Sequence, residues 1–160
     1  MIDIDGVVAD VRHRLHHLAR SDGRTRGGKN WPRFFAEAGD DPLLAHGAQV
    51  AADLAAHHAI VWLTGRPEWL RDVTELWLAR HRLPGGALIM RPSNDRRPAR
   101  TFKVEILRRL PAVAVLVDDD PDVVSAARSA GFEAVLADWV PRSEIVLAPL
   151  HEAQERHGRT

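Results

Sequence analysis

Short apolar runs alternate along this sequence with amphipathic segments, and most of the runs end in polar residues or glycine. The clearest runs are residues 59–64 and 112–117, and a proline that can begin a helix follows each within a few positions. Apolar runs of this length are typical of parallel strands that are buried on both faces. The pattern therefore predicts an α/β fold, a Rossmann-like parallel sheet with helices on both faces.

The alternation also predicts where each element lies. Strands are expected at 1–5, 59–64, 87–90, 112–117 and 133–136, and helices at 31–38, 47–57, 67–81, 102–110 and 121–130. In the third helix the apolar stripe is expected to consist of Leu70, Val73, Trp77, Leu78 and His81. A Gly/Arg-rich loop is expected at 21–29, and a polar tail at about 142–160.

Composition excludes several classes of protein. The chain has 160 residues, the size of one domain, and it contains no cysteine, which excludes disulfides, thiolate metal sites and cysteine nucleophiles. Its longest apolar runs have about six residues, whereas a bilayer span needs about 20. Asp3 and Asp5 interrupt any apolar signal peptide. We therefore expect a soluble, cytoplasmic, single-domain protein without a membrane partner, and its net charge of zero favours no particular ligand.

In open parallel sheets ligands bind at the carboxyl ends of the strands, and polar residues cluster there in this sequence. Asp3 and Asp5 are two positions apart, so they project from the same side of a strand. Two carboxylates that close repel each other unless a cation or a proton lies between them. Gly6 permits the sharp turn that would follow. A solvated acidic pair without a function is the alternative reading of these residues.

Three consecutive acids, Asp118, Asp119 and Asp120, end the second strong apolar run. Oxygen ligands of this type suit Mg²⁺, although one of the three is expected to cap the helix that begins at Pro121. Thr64, Gly65 and Arg66 follow the first run, where a hydroxyl, a guanidinium and helix N-terminal amides would bind an anion. A plain helix cap at Thr64 is the alternative.

Lysine is rare in this chain, since Lys29 and Lys103 are the only lysines among 22 basic residues. Lys103 is expected near the start of the fourth helix, where by itself it would be an ordinary surface residue.

In order and spacing these residues resemble the four motifs of the haloacid dehalogenase superfamily of Mg²⁺-dependent phosphohydrolases. The motifs are Asp3-x-Asp5-Gly6-Val7, Thr64-Gly65-Arg66, Lys103 and Asp118-Asp119. Arg14, the stretch TGRPEWLRDVTELWLARH, LIMRPSNDRR ahead of Lys103, and VDDDPDVV are similar to the 3′-phosphatase domain of bacteriophage-type polynucleotide kinase–phosphatases. The resemblance covers roughly residues 1–139. It implies a haloacid-dehalogenase-like fold with a minimal cap at about 12–46.

The resemblance also implies a role for each motif residue. Asp3 would be the nucleophile that forms an aspartyl-phosphate, and Asp5 the general acid and then the general base. The cofactor Mg²⁺ would be held by Asp3, Asp5 (through its backbone carbonyl), Asp118 and Asp119. Phosphate would be bound by Thr64, Gly65, Arg66 and Lys103, and the rest of the substrate by Arg14, Arg91 and Arg97.

The sequence departs from its relatives in three places. They carry an acidic residue four positions before the lysine, within a D-x-R-x-D pattern, whereas here Asp95 and Arg97 are followed by Ala99. Val7 replaces the commoner threonine. Only Met1 and Ile2 precede Asp3, so we expect either an unusually short middle strand or a natural chain that begins earlier.

The expected substrate is a phosphorylated nucleic-acid end, with a 3′-phosphate favoured over a 5′-phosphate. The cap is small enough to admit a polymer, and two segments that flank the site are basic: 12–33 has a net charge of +6 and 91–109 of +5. The chain lacks a GxxxxGK[ST] loop, so a kinase or ligase activity would come from a separate polypeptide. The sequence does not indicate the oligomeric state.

Three alternatives remain open at this stage. The same chemistry would serve a nucleotide or a small phosphorylated metabolite. A non-catalytic nucleic-acid-binding module would need no general acid, which argues against that reading. Phosphotransferase or mutase chemistry would require a larger lid to exclude water.

Overall fold

The computed structural model describes residues 1–18 and 30–140 of the chain. Two sequence-based expectations, the loop at 21–29 and the polar tail at 142–160, lie outside these residues. None of the helices in the described ranges has the length and apolar character that crossing a bilayer requires.

One parallel sheet forms the centre of the fold, and its middle strand is the start of the chain. Ile2 pairs in parallel with Trp62 on one side and with Val117 on the other. The N–H of Ile2 donates to the carbonyl of Val61 at 2.9 Å, and the N–H of Asp3 donates to the carbonyl of Val117 at 2.9 Å. The other strands are β1 (Ile60–Pro67) and β2 (Gly86–Arg91) on one side, and β3 (Leu116–Asp118) and β4 (Ala134–Leu136) on the other. The predicted parallel sheet is confirmed.

Helices cover both faces of this sheet. The helices are α1 (Trp31–Ala36), α2 (Ala45–Ala55), α3 (Arg71–Arg80), α4 (Ala99–Arg109) and α5 (Pro121–Ser129). Leu116 belongs to the apolar cluster of α4 and α5, whereas its neighbour Val117 belongs to a cluster with Ala51 of α2 and Trp77 of α3. Successive strand residues point to opposite faces, so the two clusters lie on opposite sides of the sheet.

A small insertion packs at the carboxyl edge of the sheet. It contains a 3₁₀ turn (Arg12–His17), α1, and a second 3₁₀ turn (Ala38–Asp40). The N–H of Arg33 donates to the side-chain oxygen of Asn30 at 3.2 Å, which caps α1. The aromatic rings of Trp31, Phe34 and Phe35 contact one another and share an apolar cluster with Leu70 and Met90. The described part of the insertion is therefore a minimal cap, as the resemblance implied.

Several expected boundaries are wrong by two to four residues, and the largest errors are at the start of α3 and at the start of β3. Pro67 is extended (φ −69°, ψ 148°) and ends β1, and a 3₁₀ turn at Glu68–Leu70 precedes α3. The φ that proline imposes suits a strand end as well as a helix start, so the residue type alone does not place the boundary. β3 begins at Leu116 rather than at residue 112, because Ala112 and Ala114 lie exposed before the ladder starts.

The buried face of α3 also differs from the predicted stripe. Leu70, Thr74 and Trp77 are buried, whereas 40% of Val73 is exposed. Since α3 begins four residues later than expected, its buried face is set by the packing of Trp77 against the sheet rather than by the positions of all its apolar residues.

Candidate active site

Asp3 and Asp5 lie where the middle strand turns into a tight loop at the carboxyl edge of the sheet. The carbonyl of Ile4 accepts hydrogen bonds from the N–H groups of Val8 at 3.0 Å and Ala9 at 2.9 Å, which closes the loop. Both carboxyl residues are buried, each at 2% exposure. Buried carboxylates need fixed partners, so this pair is not a solvated acidic strand end.

Lys103 connects the two halves of the candidate site. Its ammonium, carried by α4, donates to Asp3 Oδ2 at 2.7 Å and to Asp118 Oδ2 at 2.6 Å. A carboxylate oxygen of Asp119 completes a buried group in which one oxygen from each acid lies within 4.8 Å of the others. Three carboxylates beside one ammonium leave an excess of negative charge, and hard oxygen ligands suit Mg²⁺. The residues therefore fit a divalent cation.

Burial controls the protonation of this group. Burial raises the pKa of Asp3 to about 7, with Lys103 opposing the shift and Asp118 adding to it. The pKa of Asp118 is likewise raised by burial, against the effect of Lys103. The two acids in turn hold the pKa of Lys103 above its usual value, although burial alone would lower it. A divalent cation at these oxygens would favour ionised Asp3 and Asp118.

Gly6 makes the close approach of Asp119 possible. Its φ is +76°, and a Cβ at this position would lie 2.2 Å from Oδ2 of Asp119 and 2.5 Å from Cγ. An alanine would have to push that carboxylate away while adopting a left-handed backbone conformation. Gly6 therefore fixes both the turn after Asp5 and the position of one candidate metal ligand.

We expect Gly6→Ala to weaken Mg²⁺ binding and to lower the free energy of unfolding by about 1–2 kcal/mol, the cost of left-handed backbone for a residue with a Cβ. Calorimetric titration with Mg²⁺ and urea unfolding measure the two effects. Gly85→Ala is the matched control, because a Cβ there meets no described atom within 4 Å. Unchanged Mg²⁺ affinity in Gly6→Ala would contradict the assignment of Asp119 as a ligand.

A second charged group surrounds Asp5. Arg14 donates to Asp5 Oδ1 at 2.9 Å, and Arg66 donates to the same oxygen at 2.6 Å and 3.0 Å. Both guanidinium groups also bind Asp41: Arg14 at 2.6 Å and 2.7 Å, and Arg66 at 2.6 Å. All four residues are almost completely buried, so two acids and two arginines neutralise one another without help from solvent.

Asp41 is the residue of this group that the sequence analysis missed. It follows the second 3₁₀ turn of the cap, and its backbone carbonyl accepts a hydrogen bond from the indole of Trp77 at 2.8 Å. His13 adds a further contact to Asp41 Oδ1 at 2.8 Å. The spacing of Asp41 from Arg14 and from Arg66 in the sequence follows no pattern that predicts their contact. The one hint in the sequence was an acidic residue beside Pro42, in a segment already assigned to the cap.

The arginines determine the charge of Asp5. Burial would raise the pKa of Asp5, but Arg66 and Arg14 outweigh burial and hold it below the usual value. Asp5 is therefore ionised before substrate binds, the state of a general base. Within the described residues, Asp5 Oδ2 and Arg66 Nη1 are buried without a hydrogen-bond partner, so each has an atom that a substrate can engage.

The last residues of β1 include Thr64, Gly65 and Arg66, which are buried there. They do not lie at a helix N-terminus. The N–H of Arg66 donates to the hydroxyl oxygen of Thr64 at 3.2 Å, which leaves the hydroxyl hydrogen able to donate to an anion. The prediction that α3 supplies its N-terminal amides here is wrong, because the helix begins only at Arg71.

The two remaining arginines lie in different environments. Arg91 is 2% exposed, lies over the ring of Phe102 at 4.9 Å and donates to the carbonyl of Arg97 at 2.7 Å. Its Nε and Nη2 find no hydrogen-bond partner among the described residues, and burial lowers its pKa to about 10. Arg97 is exposed and forms surface ion pairs with Asp95 and Glu105, so its side chain stays outside the buried cluster.

Three further positions complete the comparison with the expected motifs. Asp120 caps α5, since its Oδ1 accepts from the N–H of Asp122 at 2.8 Å; the expectation that one of the three acids is a cap is confirmed. Ala99, in the place of the expected acid, is buried in the cluster of α4 and α5. Asp95 lies 3.9 Å from Arg91 and is the nearest acid paired with it.

Comparisons with known proteins were made for the whole chain. The family model described as the polynucleotide kinase PNKP phosphatase domain matches residues 1–138. A chain in the structure of the Pnkp1/Rnl/Hen1 complex is 23% identical with a TM-score of 0.66, over 84% of this chain and 44% of that one. A chain in the structure of the Pnkp1/Rnl/Hen1 RNA repair complex is 25% identical with a TM-score of 0.63, over 84% and 40%.

The present chain thus spans less than half the length of those two chains. No match was found among curated proteins. The structural similarity agrees with the α/β architecture described above.

Proposed function

The chain belongs to the family of polynucleotide kinase PNKP phosphatase domains, phosphatases of the haloacid dehalogenase type, and from this premise we propose that it removes a terminal 3′-phosphate from nucleic acid. The reaction proceeds through an aspartyl-phosphate on Asp3 and depends on Mg²⁺, which phosphatases of this superfamily generally use. One observation carries the proposal: the Lys103 ammonium lies between the buried carboxylates of Asp3 and Asp118, with Asp119 beside them.

In the first step the carboxylate of Asp3 attacks phosphorus, and the bond from phosphorus to the 3′-oxygen breaks. Lys103 and the Thr64 hydroxyl donate to the phosphoryl oxygens, and Arg66 donates through Nη1, which has no partner among the described residues. These donors offset the repulsion between the anionic nucleophile and the anionic phosphate.

The leaving 3′-oxygen takes a proton from Asp5. In the substrate-free structure Arg14 and Arg66 keep Asp5 ionised, so the acid role requires a phosphate that draws a guanidinium away from Asp5 and a proton that Asp5 takes up from solvent as substrate binds. Loss of that pairing would raise the pKa of Asp5, because burial would then dominate.

In the second step water attacks phosphorus and gives its proton to Asp5, the bond to Asp3 breaks, and inorganic phosphate leaves. As phosphate leaves, Asp5 releases this proton to solvent and returns to the carboxylate form that its arginine partners stabilise. The described part of the cap leaves no large lid over this edge, which favours hydrolysis over transfer to a second substrate.

Asp3, Asp118 and Asp119 would hold Mg²⁺ through side-chain oxygens, together with the backbone carbonyl of Asp5. When bound, the ion neutralises charge on the phosphoryl group and on the acids around it. We also propose that residues 1–160 form a single domain with its cap at about 12–46.

The substrate class rests on the small cap and on the basic segments that flank the site. The two similar chains come from complexes that contain Rnl and Hen1, one of them described as an RNA repair complex. By analogy we propose an end-healing role in which a kinase or ligase activity is supplied by other polypeptides or by further domains.

Phosphate release from four substrates, with and without Mg²⁺, tests the proposal. The substrates are 3′-phosphorylated RNA and DNA strands, the 5′-phosphorylated isomer and nucleoside monophosphates. We expect Mg²⁺-dependent release from the 3′-phosphorylated strands and loss of release in EDTA. A preference for nucleoside monophosphates would retain the mechanism and replace the substrate class with nucleotides. Absence of release from every substrate would contradict the proposed activity.

A further inference from the structure

A groove with both polar and apolar lining runs along the outer surface between α4 and α5. Its volume is about 490 Å³, and its lining residues are Arg100, Thr101, Val104, Glu105 and Arg108 of α4 with Ala126, Ser129 and Ala130 at the end of α5. The α5 wall consists of small residues, so a ligand can approach the helix backbone closely. None of the lining residues belongs to the buried clusters around Asp3 and Asp5.

The groove presents positive charge. Arg100 and Arg108 are exposed and, at 1.5 Å of helix rise per residue, lie about 12 Å apart along the axis. Glu105 is the one acid among the described residues that line the groove, and it is paired with Arg97 and Arg109 at the surface, so its charge is offset. The hydroxyl groups of Thr101 and Ser129 add hydrogen-bond donors on opposite walls.

The groove leads toward the candidate active site. α4 carries Lys103 to Asp3 and Asp118, and α5 begins at Asp120, directly after the candidate metal ligands. Each helix follows a parallel strand, so the N-termini of both helices face the carboxyl edge of the sheet. The Arg100 end of α4 therefore lies toward the edge that carries the site, whereas the α5 wall, at Ala126 and Ser129, lies in the C-terminal half of that helix.

We propose that the α4–α5 groove binds the phosphodiester backbone of the nucleic-acid strand whose terminal phosphate enters the active site, an inference that rests on the proposed function. Two cations and two hydroxyl groups along one axis are suited to successive phosphates. Within residues 1–18 and 30–140 no aromatic side chain lines the groove, so we expect no base stacking on these residues and binding that is independent of sequence. The groove thus favours a strand over a mononucleotide.

Two matched pairs of variants test this assignment. Arg108→Gln removes a cation from the groove, and Arg82→Gln removes one from an exposed position after α3 that does not line the groove. Ser129→Glu places an acid on the α5 wall, and Ser125→Glu places one on an exposed position of α5 that does not line the groove. Circular dichroism verifies that all four variants fold.

The first measurement is the Kd for an unphosphorylated, fluorescently labelled single strand. Fluorescence anisotropy detects the binding, and the titration is repeated at a series of salt concentrations. This readout does not depend on catalysis, so it remains informative if no phosphate release is found. Arg108→Gln and Ser129→Glu should each raise the Kd about tenfold, the value of one charge-assisted contact. Arg108→Gln should also lower the slope of log Kd against log salt by about 0.7, the share of one phosphate on a single strand.

The second measurement is KM for a length series of 3′-phosphorylated strands against a nucleoside 3′-monophosphate. We expect the groove variants to raise KM for long strands about tenfold more than for the monophosphate, and the two control variants to match the wild type. Equal effects of Arg108→Gln and Arg82→Gln would mean diffuse electrostatic attraction and would contradict the assignment of the groove as the binding site. Absence of strand binding in the wild type, or a KM that does not change with length, would overturn it too.

Discussion

Asp3→Asn should reduce phosphate release by at least about 10³-fold, the scale expected when a covalent nucleophile is removed. The amide cannot form the acyl-phosphate that the proposed mechanism requires. It still offers an oxygen to the N–H of Ile4, which donates to Asp3 Oδ1 at 2.8 Å in the wild type. Lys103 keeps its contact with Asp118. The variant should therefore fold, and its defect should appear in kcat.

Asp10→Asn is the control for this experiment, since Asp10 lies in the same stretch of chain but pairs with Arg12 at the surface. It should release phosphate at the wild-type rate. Single-turnover assays with a radiolabelled 3′-phosphate would detect the covalent intermediate in the wild type and not in Asp3→Asn. Activity of Asp3→Asn within tenfold of wild type would contradict the assignment of the nucleophile.

Asp41→Asn should have the largest effect on stability. Asp41 accepts hydrogen bonds from both Arg14 and Arg66, and its side chain is fully buried. The NH₂ group of the asparagine would face two buried guanidinium groups. Asp5 would then be the one carboxylate that Arg14 and Arg66 share. Removing one partner of a buried ion pair costs about 3–5 kcal/mol, because the remaining charge stays buried without compensation. We expect the free energy of unfolding to fall by that amount.

Urea unfolding measures this loss, and Asp40→Asn is the neighbouring control because Asp40 is exposed. That variant should unfold within about 0.5 kcal/mol of the wild type, as is usual for surface positions. If Asp41→Asn and Asp40→Asn were equally stable, the four-residue network would not support the cap. Asp41→Asn should also lower kcat, because Arg14 and Arg66, which hold Asp5 in place, lose one of their two carboxylate partners.

Sequence reasoning succeeded where one residue or one short run determines the structure. The apolar runs before Thr64 and Asp118 predicted buried parallel strands, and the position of the candidate site followed from the rule for strand ends. The family resemblance, carried by four short motifs, is confirmed by the match over residues 1–138. The roles of the individual site residues stay predictions that the variants above test.

The predictions failed where the packing of distant residues decides. Asp41 reaches Arg14 and Arg66 only because the cap folds back onto the sheet, and no local pattern encodes that contact. Arg14, which the resemblance assigned to the substrate, donates to two buried acids and lies 4.1 Å from the ring centre of Phe34; its role toward the substrate stays a prediction. The positive charge of an arginine in the sequence does not indicate whether it binds a ligand or pairs with a buried carboxylate.

The middle strand has a consequence for how this domain folds. Its residues are the first of the chain, yet their partners are Trp62 and Val117, and the Met1 amine donates to the Val115 carbonyl across 114 positions. Pairings so distant in sequence must close large loops before any stabilisation is gained, which slows folding. On the ribosome the strand that carries Asp3 stays unpaired on one side until β3 has emerged, so the candidate site can form only after residues 116–118 have been synthesised.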